Sequence, residues 1–133
     1  MRRVTFDTNI FVSAFEFGGK PEKLLQMAMD GEIEVAVSQP IVNETVRVLR
    51  EKFNWSPVEL DRVLSVIRLC TKWVSPTQNI DAVPTDADDN RVVECAVASG
   101  SEAIITGDKD LLRLGQYEGI RMMRVGEFLE RLL

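Results

Sequence analysis

Short apolar runs alternate along the chain with segments whose apolar residues recur at helical spacing. Arg3 to Phe6, Ile33 to Val37, Trp73-Val74, Ala103 to Ile105 and Met122-Met123 have the length and residue types of short strands. Between them, Ile10 to Phe15 opens a short helix. Leu24, Leu25, Met27 and Ala28 mark a second over Pro21 to Asp30, with Gly31 as its stop. Pro40 suits the first turn of a helix running to about Phe53. Ser56-Pro57-Val58-Glu59 is a capping box with proline at the first helical position, and it opens a helix to about Thr71. A turn rich in cap residues, Pro84 to Asp88, precedes a helix that ends at Ser99 before Gly100. Asp108 to Leu112 reads as a turn. Val125, Phe128, Leu129, Leu132 and Leu133 form the stripe of a final helix.

Strands alternating with helices of about 10–15 residues predict an α/β fold, with a central parallel sheet of about five short strands covered by helices on both faces. The 133 residues form one domain, spanning 1–133, with no repeat, linker or low-complexity tract. Open parallel sheets place ligands at the carboxyl ends of their strands. The residues that follow each strand are therefore the ones to inspect.

Composition narrows the chemistry. The chain has no histidine, which removes His-based acid–base catalysis, Ser-His-Asp and Cys-His nucleophiles, and His-ligated zinc. Its two cysteines, Cys70 and Cys95, lie inside apolar-periodic segments and read as buried thiols rather than a disulfide or zinc framework. No apolar stretch approaches the roughly 18 residues needed to cross a bilayer. Arg2 and Arg3 are not followed by an apolar h-region, so no signal peptide, no membrane association and a cytoplasmic location are expected. The net charge of −5 is not the footprint of a non-specific nucleic-acid binder, although a cation-binding carboxylate cluster would itself make the total more negative.

Four acids fall where such a cluster would form. Asp7 ends the first strand, and Asp108 lies just past Ala103 to Ile105, on the same rim of a parallel sheet. Asp89 shares a helix face with Val92, Val93 and Ala96, so it points along the core-facing stripe. Glu44 has Ile41 and Val48 as helical neighbours and borders the apolar face of its helix. Each has an ordinary alternative: a turn or cap aspartate for Asp7 and Asp108, a helix-dipole acid for Asp89, a solvated glutamate for Glu44. Together they would repel, and such a group persists with cations or raised pKa values. Hard oxygen donors in this number suit Mg²⁺ or Mn²⁺, which can supply a nucleophile from water and neutralise a phosphodiester without histidine.

Four segments carry a resemblance: Val4-Thr5-Phe6-Asp7-Thr8-Asn9; Pro40 to Glu44; Asp86-Ala87-Asp88-Asp89-Asn90-Arg91 with Glu94-Cys95-Ala96; and Ile105-Thr106-Gly107-Asp108-Lys109-Asp110-Leu111-Leu112. In this order they resemble the PIN-domain family, and within it the PIN-type toxins of VapC-like toxin–antitoxin systems. The resemblance implies an α/β/α sandwich and a Mg²⁺- or Mn²⁺-dependent ribonuclease. It implies Asp7, Glu44, Asp89 and Asp108 as the acidic, metal-holding and catalytic set, with Asn9 and Thr106 in support. Asp86 and Asp88 crowd the third position, where Asp89 is preferred because it faces inward; Asp110 rivals Asp108. Arg91 and Lys109 are the nearest basic residues for RNA phosphates. The resemblance also implies a cognate antitoxin and a homodimer. Two other readings stay open. One is a phosphatase of the haloacid-dehalogenase type, which wants a second acid where Asn9 stands. The other is a PIN-like module that binds nucleic acid or protein without cleaving it.

Overall fold

Val4, Thr5 and Phe6, then Val35, Ala36 and Val37, then Ile104 and Ile105 are all buried although successive strand residues point to opposite faces, the pattern of a sheet covered on both sides. The computed structural model describes residues 1–132; Leu133, expected in the final helical stripe, lies outside them. The elements are β1 (Arg2–Phe6), α1 (Thr8–Glu16), α2 (Gly19–Met29), β2 (Ile33–Val37), α3 (Gln39–Phe53), α4 (Pro57–Cys70), β3 (Thr71–Trp73), α5 (Ala87–Ser99), β4 (Ala103–Ile105), α6 (Lys109–Leu114), β5 (Gln116–Tyr117), β6 (Ile120–Met123) and α7 (Val125–Arg131). The sheet order is β3-β2-β1-β4-β6-β5. β1 pairs in parallel with β2 and β4, β2 with β3, and β4 with β6. The sheet is therefore the expected parallel one with helices on both faces.

Three local expectations are corrected. The sheet has six strands rather than five, because β5 pairs antiparallel with β6 at one edge. The two join through Glu118 and Gly119, both at positive φ, 49° and 85°. That is the two-residue turn whose twist matches a hairpin, here built without the Asn-Gly signal that would announce it. The stretch from Asp108 is a helix, α6, because the Asp108 carboxylate caps it by accepting from the amides of Asp110 and Leu111. β3 starts at Thr71, directly after α4 and two residues earlier than expected. The Ser56 capping box is present, with the Ser56 hydroxyl and Glu59 carboxylate bonding each other's backbone amides.

β1 lies between β2 and β4, so the chain leaves β1 toward one side of the sheet and returns on the other. That reversal opens a crevice at the carboxyl ends of β1 and β4. The Asp7 amide donates to the Ile105 carbonyl at 3.0 Å, which fixes the two strand ends side by side.

The segment 74–86, between β3 and α5, contains no helix or strand but is clamped to α5. The Ile80 amide donates to Glu94 Oε2 at 2.9 Å. The Val83 amide donates to Asn90 Oδ1 at 2.8 Å, and Asn90 Nδ2 donates back to the Val83 carbonyl at 2.9 Å. Asn90 and Glu94 are buried one turn apart on α5, so their polar groups serve a backbone that would otherwise be left unpaired. Asn90→Ala is expected to cost roughly 1–3 kcal/mol in urea unfolding, because it strands two buried backbone groups. Native-state amide exchange at Val83 should accelerate with it. Unchanged stability and exchange would show that the clamp does not hold the segment.

Candidate functional site

Two helix N-termini face each other across the crevice, and each is capped by an aspartate. Asp86 caps α5, its Oδ1 accepting from the amides of Asp88 at 3.0 Å and Asp89 at 3.2 Å. Asp108 caps α6, its Oδ2 accepting from the amides of Asp110 at 3.0 Å and Leu111 at 3.1 Å. Asp89 stands between them in the first turn of α5. One oxygen from each of Asp86, Asp89 and Asp108 lies within 4.8 Å of the others. Asp89 is only 5% exposed, and its Oδ2 has no hydrogen-bond partner among the described residues.

Asp7 adjoins this group from the end of β1. Its Oδ2 accepts from the Thr106 hydroxyl at 2.8 Å, and the Thr106 Oγ1 accepts in turn from the Asp108 amide at 2.9 Å. Thr106 thus ties the two strand-end aspartates together. The Asp7 carboxylate makes no hydrogen bond to the start of α1, although the Thr8 and Asn9 amides lie near enough to favour its charged form.

Burial dominates the electrostatics. It pushes the Asp7 carboxyl up to about 6, with the charge of Asp108 adding and the Thr106 bond opposing. It pushes Asp89 up to about 8; a hydrogen bond that the protonated Asp89 can share with Asp108 adds next, and then the like charges of Asp108, Asp86 and Asp7. Asp88 is raised more mildly by burial, then by Glu44 and Asp86. A buried carboxylate with an unbonded oxygen beside further carboxylates is costly unless a proton or a cation joins it. Every donor here is a hard oxygen, so the set fits Mg²⁺ or Mn²⁺.

The structure therefore brings Asp89 and Asp108 together, with Asp7 beside them. It also brings in Asp86, which sequence reasoning sets aside for Asp89. Glu44 is placed differently. It is half-buried on α3, and Arg47 binds both its oxygens, at 2.5 and 3.0 Å; its charge acts on Asp88 rather than within the three-carboxylate group. Asn9 is exposed and borders a shallow cavity of about 570 Å³ with Asp108, Lys109 and Arg113. Lys109 is exposed there. Arg91 is bound by Glu94 at 2.7 Å, and Asp110 by Arg113 at 3.2 Å. Asn90 and Glu94, which hold the approach to α5, escape a reading of the sequence; their signal is the one-turn spacing of two polar residues on an apolar face.

The raised pKa values set a pH dependence. Between the unfolded aspartate value near 4 and the folded values, the native state holds more protons than the unfolded one, so apo stability falls as pH rises. Thermal melts in chelator should show a decline from about pH 5 to pH 8, matching the windows of Asp7 and Asp89. Asp89→Asn should flatten that decline and raise the apo melting temperature at pH 8. A flat wild-type profile would deny the burial of these charges.

A family model described as PIN domain matches residues 3–110. No curated protein is a significant match. Among solved structures, the fold is similar to one described as the crystal structure of VapBC2 from Rickettsia felis bound to a DNA fragment from their promoter. The two share 12% sequence identity and a TM-score of 0.68, over 92% of this chain and 98% of that one. At that identity the likeness is one of fold. The family match takes in β1 with Asp7, α3 with Glu44, the first turn of α5 with Asp86 and Asp89, and the end of β4 with Thr106 and Asp108. This chain belongs to the PIN domain family.

Proposed function

We propose that the chain is a divalent-metal-dependent endoribonuclease that hydrolyses RNA phosphodiester bonds, acting as the toxin of a toxin–antitoxin system. The observation that carries this reading is the buried Asp89 carboxylate, with an unpartnered Oδ2, gathered within 4.8 Å of an oxygen from each of the two cap carboxylates Asp86 and Asp108. Asp89, Asp108 and Asp7 would hold Mg²⁺ or Mn²⁺, with Asp86 as a further donor. Glu44 would join on release from Arg47. When bound, such an ion acidifies water and neutralises charge developing on the phosphate. Thr106 holds the Asp7 carboxylate in place, and the caps of α5 and α6 fix Asp86 and Asp108 without using their second oxygens.

Two other readings are less well supported. A haloacid-dehalogenase-type phosphatase would need an acid at position 9, and the exposed Asn9 stands there. A non-catalytic module gains nothing from a desolvated carboxylate that no side chain satisfies. The toxin setting draws on family membership and on the fold likeness to VapBC2. An antitoxin and a second copy of the chain are the proposed partners. Phe17, 72% exposed and packed edge-on to Phe53, is part of the apolar surface that a partner would cover. Among the described residues no helix is long and apolar enough to cross a membrane, and the proposed location is the cytoplasm.

Labelled RNA and a small phosphate ester, each offered Mg²⁺ or Mn²⁺ with and without chelator, separate nuclease from phosphatase. RNA alone should be cut, and only with metal. Asp7→Asn should lower cleavage by orders of magnitude while apo stability holds or rises, since one repelling charge is gone. Near-normal cleavage by Asp7→Asn would sink the assignment.

Metal should also stabilise the wild type: binding only the native state contributes about 2.7 kcal/mol at 100 times Kd. Ca²⁺ should bind without supporting turnover. No shift in melting temperature at millimolar Mn²⁺ would remove the metal centre. Light scattering during size-exclusion chromatography tests the dimer, and a clean monomer at tens of micromolar would exclude it.

A further inference from the structure

A groove of about 440 Å³ runs between α3, α4 and the end of β3. Its polar lining is Gln39, Asn43, Arg47, Arg50 and Arg68, and Trp73 lines it as well. None of its lining residues is acidic, and its floor is aliphatic. This is unusual ground on a chain of net charge −5. Arg47 is held by Glu44 and Glu51, but Arg50 and Arg68 have no ion-pair partner among the described residues. Both are exposed. Trp73 is 38% exposed, at the carboxyl end of the outermost strand of its side of the sheet.

Placement links this groove to the carboxylates. Gln39 closely follows β2 and Trp73 ends β3, so both stand on the strand-end rim that carries Asp7 at the end of β1. β3 is two strands from β1, about 10 Å across the sheet. Arg47 lines the groove on one side and binds Glu44 on the other, and the charge of Glu44 reaches Asp88 at the start of α5. A polyanion lying in the groove would thus have its next residues over the acidic crevice.

We infer that this groove binds single-stranded RNA, with Arg50 and Arg68 on phosphates and a base stacked on Trp73. The inference rests on the nuclease reading for the identity of the polyanion. Two unpaired guanidiniums supply the phosphate contacts that an acidic protein must concentrate locally. An exposed indole beside arginines is the platform on which unpaired bases stack without sequence readout. The amides of Gln39 and Asn43, bonded to each other at 2.8 Å, leave further donors and acceptors for sugar or base edges.

The test is fluorescence anisotropy of a labelled single-stranded RNA of about ten nucleotides, in chelator so that nothing is cut. Wild type is compared with the Arg50→Ala/Arg68→Ala double variant, Trp73→Ala and Trp73→Phe. A Lys20→Ala/Lys23→Ala variant, on the α2 surface that lines a separate cavity with α7, serves as control. The arginine variant should bind at least roughly tenfold more weakly, and its log–log salt slope should shrink by about 1.4, because two phosphates keep their counterions. Trp73→Ala should weaken binding about 5- to 100-fold, with Trp73→Phe recovering most of it. A duplex of the same sequence should be insensitive to Trp73. The substituted side chains are surface ones, and thermal melts confirm folding.

Wild-type affinity in the arginine and Trp73 variants, or an equal loss in the lysine control, would overturn the groove. So would loss of a co-purifying protein from the arginine variant with RNA binding intact, which would assign the groove to a protein partner. Cleavage with Mn²⁺ is measured separately. RNA bound through the groove but never cut would sink the nuclease reading and leave the groove standing. RNA cut normally by every groove variant at substrate well below saturation would do the reverse.

Discussion

Like charge gathered in a place sheltered from water is the constraint on which this molecule turns. Carboxylates from three separate elements meet at the crevice between β1 and β4, and the fold gives most of them an individual reason to be there. Asp7, Asp86 and Asp108 are each the N-cap residue of a helix, where partial positive charge and unpaired amides favour an anion. Asp86 and Asp108 use one oxygen for two cap bonds and keep the other free. Asp89 shares the helix-start field but makes no cap bond. It is the most deeply desolvated acid of the helix start, its Oδ2 bonds nothing, and three neighbours repel it. A desolvated acid without a partner at the rim of a parallel sheet is what a functional site requires and what folding alone does not, and the proposed metal centre supplies a reason for it.

The surroundings hold that arrangement rigid. On one side, Thr106 bridges the Asp7 carboxylate and the Asp108 amide, and the Asp7 amide bonds the Ile105 carbonyl across the β1–β4 pair. On the other, Asn90 and Glu94 anchor the segment that delivers Asp86 to the N-terminus of α5. Beneath, the buried hydroxyls of Thr5, Ser99 and Ser101 bond one another where β1 meets α5 and the turn after it. Each contact satisfies a polar group that packing would otherwise leave unpaired. Asp7, Asp86 and Asp108 cannot leave their places without breaking one of these contacts or a cap bond, whereas Asp89 is held by burial alone.

How much of this the chain announces depends on the range of the interaction. The parallel strands and the inward face of Asp89 follow from periods of 2 and 3.6, so apolar patterning alone exposes them. The placement of Asp7 and Asp108 on one rim follows from strand direction. Asp86 is easily passed over because a cap aspartate looks complete once its helix is accounted for; only the approach of α6 from elsewhere in the chain shows its second oxygen to be available. The wheel position of Glu44 cannot tell that Arg47, three residues on, takes both its oxygens. The β5–β6 hairpin is hidden because Glu118-Gly119 supplies the backbone of a tight turn without its usual side chain.

The distribution of charge would let an acidic chain accept the anionic substrate proposed for it. Net charge governs long-range steering, but what a polyanion meets at the surface is local, within a Debye length of about 8 Å at physiological ionic strength. Here the carboxylates collect at the ends of β1 and β4 and the unpaired arginines two strands away, on α3 and α4. The Glu44–Arg47 pair stands at the boundary between them. With the Arg47 side of the pair open to solvent, the contact is worth little to stability, so its partners separate at small cost. If a phosphate took Arg47, Glu44 would be freed toward the acids of α5, where its added negative charge would raise the demand for a cation. Substrate and metal would then each favour the other's binding through one side-chain contact, and the equilibrium between them would be set at the rim rather than in the core.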